Sequence, residues 1–487
     1  MDVKGSSPPP SSRPMRFVIC PWLAFGHILP YLELAERLAS RGHHVSYVST
    51  PRNLARLPPR RHNSSINLIS LPLPHVEGLP DGAESTNDVP NDKLSHLWDA
   101  FDRLAAPFAD YLAAACSGDN TTKPDWVLAD TFHHWATAIA ADHGIPSMLL
   151  QPTAAMIAAI ACGASDHSDL IAATVYEQMM AVVDRPATMP HYEWEGDKVL
   201  FAPLGSLGLP VARRCSLALD RCTLTAMRSC HEWELEAFAL AEKLLGKPLI
   251  PLGLLPPSPD GGRGVDTHRN DPTLRWLDTQ PAKSVVYVAL GSEVPLPLPL
   301  VHELALGLDL AGTRFLWALR KPTGVHDDDV LPAGFRDRTH GYGHVAMGWV
   351  PQVAVLSHAS VGAFLTHCGR NSLIEGLQHG HPLVMLPIFG DQGPNARLME
   401  GRKVGVQVAR EESDGSFDRH GVASAVRAVM VDEGTRRVFV ENAEKMREIV
   451  GDKELQDSYV DEFVERLRCY SNVDGNSSGA AVEATWT

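Results

Sequence analysis

The sequence predicts an α/β protein built from two doubly wound, Rossmann-like parallel-sheet domains facing each other across a cleft. Three observations carry this. The chain has 487 residues, too many for one ordinary domain. Short apolar runs alternate with amphipathic stretches along most of its length, the pattern of βαβ units whose strands pair in parallel. The alternation stops at the Pro- and Gly-rich stretch from Leu252 to Asp271, and then starts again.

Residues 1–14, MDVKGSSPPPSSRP, are polar and proline-rich and read as a disordered arm. No apolar core of a signal peptide precedes the first strand. The first domain, 15–251, opens with that strand at Met15–Cys20. A helix follows from about His27 to Ser40, Gly42 ends it, and HHVSYVST is the next strand. NLISLPL, a helix near Leu94–Cys116, the strand DWVLAD, another helix and PSMLLQ continue the series. Between about 160 and 225 the chain is rich in Ala, His and Met without a clean period. Variable stretches of this kind often line substrate pockets in α/β enzymes.

Residues 252–271 are the linker. The second domain, 272–455, runs through SVVYVALG, a helix at His302–Leu310, RFLWAL, HVAMGW, VGAFLTH, PLVMLP and VGVQVA. From Gly421 to Arg468 the chain is mostly helical. Residues 456–470 are expected to return as a helix to the first domain, and 471–487 to form a flexible tail. Doubly wound sheets bind ligands beyond the carboxyl ends of their strands. Two facing domains therefore suit a two-substrate enzyme, one domain for each substrate.

Composition narrows the function. An apolar fraction of 44% and a charged fraction of 21% fit a soluble globular protein. A formal charge of −15 argues against a nucleic-acid partner. Eight scattered cysteines form no CxxC pair, so neither a zinc knuckle nor a thioredoxin-like site is indicated, and reduced thiols are expected. The most apolar stretch, around Ile145–Ala164, is broken by Pro146, Gln151 and Pro152 and makes a poor membrane span. The chain is expected to be cytoplasmic and, without a heptad pattern, monomeric.

The stretch from Trp349 to Gln392 carries most of the chemistry. Its segment VGAFLTHCGRNSLIEG passes from an apolar strand to a polar turn and then to a helix starting near Asn371. The first turn of a helix offers unpaired N–H groups and a positive dipole end, which suit a diphosphate. His367 ends the strand, Gly369 lets the backbone approach an anion closely, and Asn371 and Ser372 stand at the helix start. Taken singly, Asn and Ser there are ordinary helix caps.

Taken whole, the stretch resembles, nearly position for position, the donor-binding box of plant small-molecule glycosyltransferases that use UDP-sugars. That resemblance covers essentially residues 15–470 and implies two domains of the GT-B type. It implies that Trp349 stacks on the uracil, with Val350 in the same set, and that Gln352 contacts the base edge. Glu375 would take the ribose hydroxyls. His367, Gly369, Asn371 and Ser372 would hold the diphosphate. Asp391 and Gln392 would bind the transferred hexose, and the final Gln accompanies glucose donors. The chemistry agrees, since a carboxylate accepts from two hydroxyls and an amide both donates and accepts. Ser292, in VALGSEVPL, resembles a second phosphate contact, with an ordinary strand-end turn as the alternative.

One position departs from the family, which has Trp after HCG where this chain has Arg370. Trp presents a flat apolar face, whereas Arg presents a charged fork. Arg370 can pair with the diphosphate, read a carboxylate on an acidic donor sugar, or be tolerated or damaging. All four readings stay open on the sequence.

On the acceptor side, CPWLAFGHILPYLELAERL places His27 at the start of the first helix. The helix dipole there disfavours imidazolium, so a neutral imidazole near pH 7 is expected, able to take a proton from an acceptor hydroxyl. Asp130 ends the strand DWVLAD, and topology brings it to the same cleft. The pair resembles the family's catalytic His-Asp dyad, which implies direct displacement with inversion and no metal. Within the family, PWLAFGHILPYLELAERL, GLPDGAESTNDVP and YVALGSEVPL look like members from grasses. Those belong to the branch-forming subgroup and are similar to enzymes that add a 1,2-linked glucose to flavonoid or steviol-type glycosides. The expected partners are a UDP-sugar co-substrate and a small-molecule glycoside, with no nucleic acid and no membrane.

Other signals are set aside. GYGHVA at 341–346 fits G-x-G-x-x-A but precedes a strand instead of following one. Asp327–Asp329 reads as a solvated charge run. His133 and His134 are adjacent and diverge on a helix. Three rival readings remain: a UDP-sugar-binding protein whose turnover Arg370 impairs, a transferase acting on aglycones, and a two-carboxylate glycosidase that needs no UDP.

Overall fold

The computed structural model describes residues 13–473, apart from 63, 119–121, 155–202, 259–270, 292, 294, 323 and 412–413. Its first sheet has seven strands. They are β1 (Arg16–Cys20), β2 (His44–Ser49), β3 (Ile66–Ser70), β4 (Trp126–Asp130), β5 (Ser147–Gln151), β6 (Leu224–Met227) and β7 (Leu249–Pro251). Their order is β3-β2-β1-β4-β5-β6-β7, parallel throughout. The second sheet has six, β8 (Val285–Ala289), β9 (Arg314–Leu319), β10 (Gly343–Met347), β11 (Val361–Thr366), β12 (Leu383–Met385) and β13 (Gly405–Gln407). Their order is β10-β9-β8-β11-β12-β13, again parallel.

Central strands such as WVLAD and VVYVA are buried at every position, so they read as continuous apolar runs. Helices cover both faces of each sheet. On one face of the first sheet Phe17, Ile19 and Trp126 pack with Leu34, Ala35 and Leu38 of the first helix, Phe25–Ser40. The other face buries Val18, Val127 and Leu149 against Trp98, Phe101 and Phe108.

Each sheet reverses direction of winding at one place, between β1 and β4 and between β8 and β11. The crevices that hold ligands in doubly wound folds open at such points. The two strands β6 and β7 were not anticipated, because LTAM and LIP are too short to show a period. The expected single helix near Leu94–Cys116 is two, Leu94–Arg103 and Ala105–Ser117. The closing helix, Lys453–Val473, buries Val460, Phe463, Val464 and Leu467 in the same core as Phe17 and Trp126. Leu252, Leu254 and Leu255, within the expected linker, are buried, and Gln456 Oε1 accepts from the Leu254 N–H at 2.7 Å.

Candidate active site

β1 and β4 are neighbours at the first switch point, with Cys20 opposite Ala129. The chain turns out of β1 and enters the first helix at Phe25, which places His27 in the opening turn. Asp130 is the last residue of β4. The two side chains meet, with His27 Nδ1 2.8 Å from Asp130 Oδ2. The carboxylate also accepts the N–H groups of Trp22 at 2.9 Å and Thr131 at 2.6 Å. Asp130 is thus fully buried yet held by three donors, while the imidazole keeps 18% of its surface exposed. Pairing Nδ1–H with the carboxylate leaves Nε2 as the acceptor nitrogen.

The electrostatics add to the helix dipole an opposing influence on the histidine. Burial alone pulls His27 down, but Asp130, reinforced by Glu293 and Asp391, outweighs it, so its pKa lies above the ordinary 6.5. A helix-end dipole is worth only about 0.3–1 kcal/mol at the surface, less than a hydrogen-bonded buried carboxylate. Burial pushes Asp130 up, but His27 and the donors around it win, so it stays below the usual carboxylate value.

The second switch point lies opposite. His367 follows β11, and its ring is wedged between Gly291, just after β8, and Gly369. A Cβ on either glycine would stand 2.7 or 2.5 Å from His367 Nε2, so neither position tolerates a side chain without movement. Between them Cys368 takes a left-handed φ of 65°, a conformation a non-glycine residue adopts only when its surroundings impose it. Its N–H is tied to Thr366 Oγ1 at 3.2 Å. Burial lowers the His367 pKa to about 4, against a smaller upward influence from the Ala289 backbone, so the ring is neutral and carries a single N–H. The helix Arg370–Gln378 begins here, and its N-cap, Gly369, supplies no side-chain acceptor to the first turn.

The remaining expected donor residues divide into groups. Gln352 Nε2 donates to Glu375 Oε2 at 2.7 Å and lies 3.5 Å from Ser372 Oγ, and Tyr287 donates to Gln352 Oε1 at 3.4 Å. These three expected residues form one polar cluster. Trp349, three positions before Gln352, is 75% exposed, whereas Val350 is buried in the core and offers only its backbone. Gln392 turns its carbonyl inward to the N–H groups of Ile388 and Phe389, at 2.8 and 3.1 Å, which leaves its amide N–H groups as donors. Asp391 accepts from Asn395 at 3.2 Å, and burial raises its pKa. Its charge also acts on His27, which brings it into the neighbourhood of the dyad. Ser292 lies outside the described residues.

Two expected contacts lead elsewhere. Asn371 donates to the Gly26 carbonyl at 3.1 Å and accepts from Arg228, so its side chain spans the cleft. Arg370 points into the first domain, to the Arg228 carbonyl and Glu234. Arg228, Glu234 and Glu293 were not singled out in the sequence. Arg228 had a usable signal, a charged residue directly after a first-domain strand, but β6 itself was not legible. Among the described residues, no helix is long and apolar enough to cross a membrane.

A family described as UDP-glucoronosyl and UDP-glucosyl transferase matches residues 251–459. UDP-glycosyltransferase 91C1 of Arabidopsis thaliana is 38% identical, over 93% of this chain and 96% of its own length. UDP-glycosyltransferase 91D2 of Stevia rebaudiana is 39% identical, over 92% of this chain and 93% of its own. Cyanidin 3-O-galactoside 2''-O-xylosyltransferase FGGT1 of Actinidia chinensis var. chinensis is 32% identical, over 92% and 97%. The crystal structure of Glycyrrhiza uralensis UGT73P12 with glycyrrhetinic acid 3-O-monoglucuronide superposes with a TM-score of 0.74 at 21% identity. That match covers 95% of this chain and 98% of the other, and it shows the shared two-domain fold.

Proposed function

The chain belongs to the plant UDP-glycosyltransferase family and is a UDP-sugar-dependent transferase acting on small molecules; from that premise we propose that it moves a hexose, glucose first, onto a hydroxyl of a small-molecule glycoside, by direct displacement and without a metal. The observation that carries the proposal is the 2.8 Å pairing of His27 with Asp130. It stands at the carboxyl ends of β1 and β4, facing Asp391 and the start of the helix Arg370–Gln378.

In this reading the acceptor hydroxyl gives its proton to His27 Nε2. Its oxygen forms a bond to the anomeric carbon as the bond from that carbon to the diphosphate oxygen breaks, and the configuration inverts. UDP leaves with the electron pair. Asp130 stabilises the imidazolium that forms and keeps the ring in the correct tautomer. The neutral His367 N–H and the first-turn N–H groups after Gly369 receive the charge of the departing diphosphate. Trp349 carries the base, Gln352 and Glu375 the nucleoside hydroxyls and base edge. Asp391 accepts from hexose hydroxyls and Gln392 donates to them.

A glycoside acceptor is favoured by the grass branch-former motifs and by the relative whose name gives a sugar added to a galactoside. Glu293 and Asp391, whose charges act on His27, would supply acceptors for a hydroxyl-rich substrate. Replacing His27 with Ala tests the assignment. Transfer should be lost while UDP still binds, and unchanged transfer would refute the base role.

A further inference from the structure

We propose that Arg370 is a positioning residue which, with Glu234, clasps the two domains and sets the donor helix against the catalytic histidine, instead of selecting the donor sugar. The inference rests on the transferase reading above. Arg370 is the first residue of the helix Arg370–Gln378. Its Nε and Nη2 donate to the Arg228 carbonyl at 3.2 and 2.9 Å, and Nη2 also donates to Glu234 Oε1 at 2.8 Å. The guanidinium lies 5.7 Å from the ring centre of Trp233. Both charged side chains are only 4% exposed.

The first domain is shaped to receive it. Glu234 breaks the regularity of the helix His231–Leu245, with φ −155° and ψ 53°, and its Oε1 also accepts from Ser229. Arg228 reaches back the other way. It donates to Asn371 Oδ1, and to the carbonyls of Leu254 at 2.8 Å and Leu255 at 3.4 Å. Asn371 in turn holds the carbonyl of Gly26, the residue before His27. Two arginines thus cross the boundary in opposite directions. The hydrogen bonds run without a gap from Glu234 to the neighbour of the catalytic base.

Transfer needs the acceptor oxygen and the anomeric carbon aligned within about half an ångström, and each is held by a different domain. A clasp at the first turn of the donor helix acts on that alignment. The fork of Arg370 is planar and matches a carbonyl and a carboxylate together, which an indole cannot. Tryptophan at position 370 would take from buried Glu234 the guanidinium that crosses from the other domain, and removing one partner of such a pair costs more than removing both.

The test compares wild type with R370W, E234L, R370W/E234L and R370K. UDP affinity, melting temperature, and kcat and KM with UDP-glucose and UDP-glucuronate are measured for each. R370W and E234L should each lower the melting temperature, and the double variant should recover most of that loss. R370K, which keeps the charge but not the fork, should lose about ten-fold in kcat while UDP affinity holds. The ratio of the two donors should stay constant throughout. Additive losses in the double variant, higher transfer in R370W alone, or a change in donor ratio beyond ten-fold would overturn the proposal. Absence of transfer in wild type would sink the functional reading separately, while the melting-temperature comparison would still decide the clasp.

Discussion

Asp130 lies at the end of β4 with its Oδ2 2.8 Å from His27 Nδ1, on the strand next to the one that delivers the histidine. The pairing depends on topology, because only a switch point sends the chains leaving two adjacent parallel strands to opposite sides and leaves room for a substrate between them. Removing either partner should therefore disable chemistry more than binding.

His27→Ala should lower kcat by about 10²–10⁴-fold, the usual contribution of a general base, with the Kd for UDP changed less than three-fold. Steady-state kinetics combined with calorimetric UDP titration checks this. A fall in UDP affinity as large as the fall in kcat would remove His27 from the base role.

The pH profile follows from the raised histidine pKa. A base must be unprotonated, so kcat/KM should rise with pH through a pKa above 6.5. Asp130→Asn removes the largest upward influence on His27, and the residual activity should show that limb displaced to lower pH. A limb that stays in place would mean another group titrates.

Stability carries the same signature with the sign worked out. The raised His27 pKa contributes stability that is fully present below 6.5 and lost as pH rises through the folded value. The lowered Asp130 pKa contributes stability present above 3.8 and lost as pH falls through its folded value. The pair therefore stabilises most between these limits. The melting-temperature gap between wild type and Asp130→Asn should be wider near pH 6 than near pH 9. An equal gap at both would contradict the linkage.

Gly369→Ala tests the donor turn. The new Cβ would press on His367 Nε2 from 2.5 Å, and relieving such overpacking costs about 1–3 kcal/mol. UDP affinity should fall roughly ten-fold, while His27 chemistry on bound donor persists. Glu375→Ala should weaken UDP by about 10- to 100-fold through lost charged hydrogen bonds. Unchanged affinity in both variants would move the nucleotide elsewhere.

Much of the site was legible because its signals are local. VGAFLTHCGRNS shows a strand, a turn and a helix start within a dozen positions, and His27 and Asp130 each stand at a readable element end. What remained hidden was tertiary. Arg370 was visible as a charged fork, but what it grips lies 142 and 136 positions away. Short strands such as LTAM carry no period, so the arginine that follows β6 could not be placed in the cleft. The direction in which the His27 pKa moves was hidden for the same reason. The dipole of its own helix can be read from sequence, whereas Glu293 and Asp391 reach it only through the fold.

The central claim is metal-independent hexose transfer to a glycoside. It is tested most directly by mass-resolved product formation from UDP-glucose, with EDTA present, against a panel of aglycones and their monoglucosides. The expected result is one added hexose on monoglucosides and little or none on the aglycones. Product on aglycones alone, or activity that disappears with EDTA and returns with a divalent metal, would contradict it.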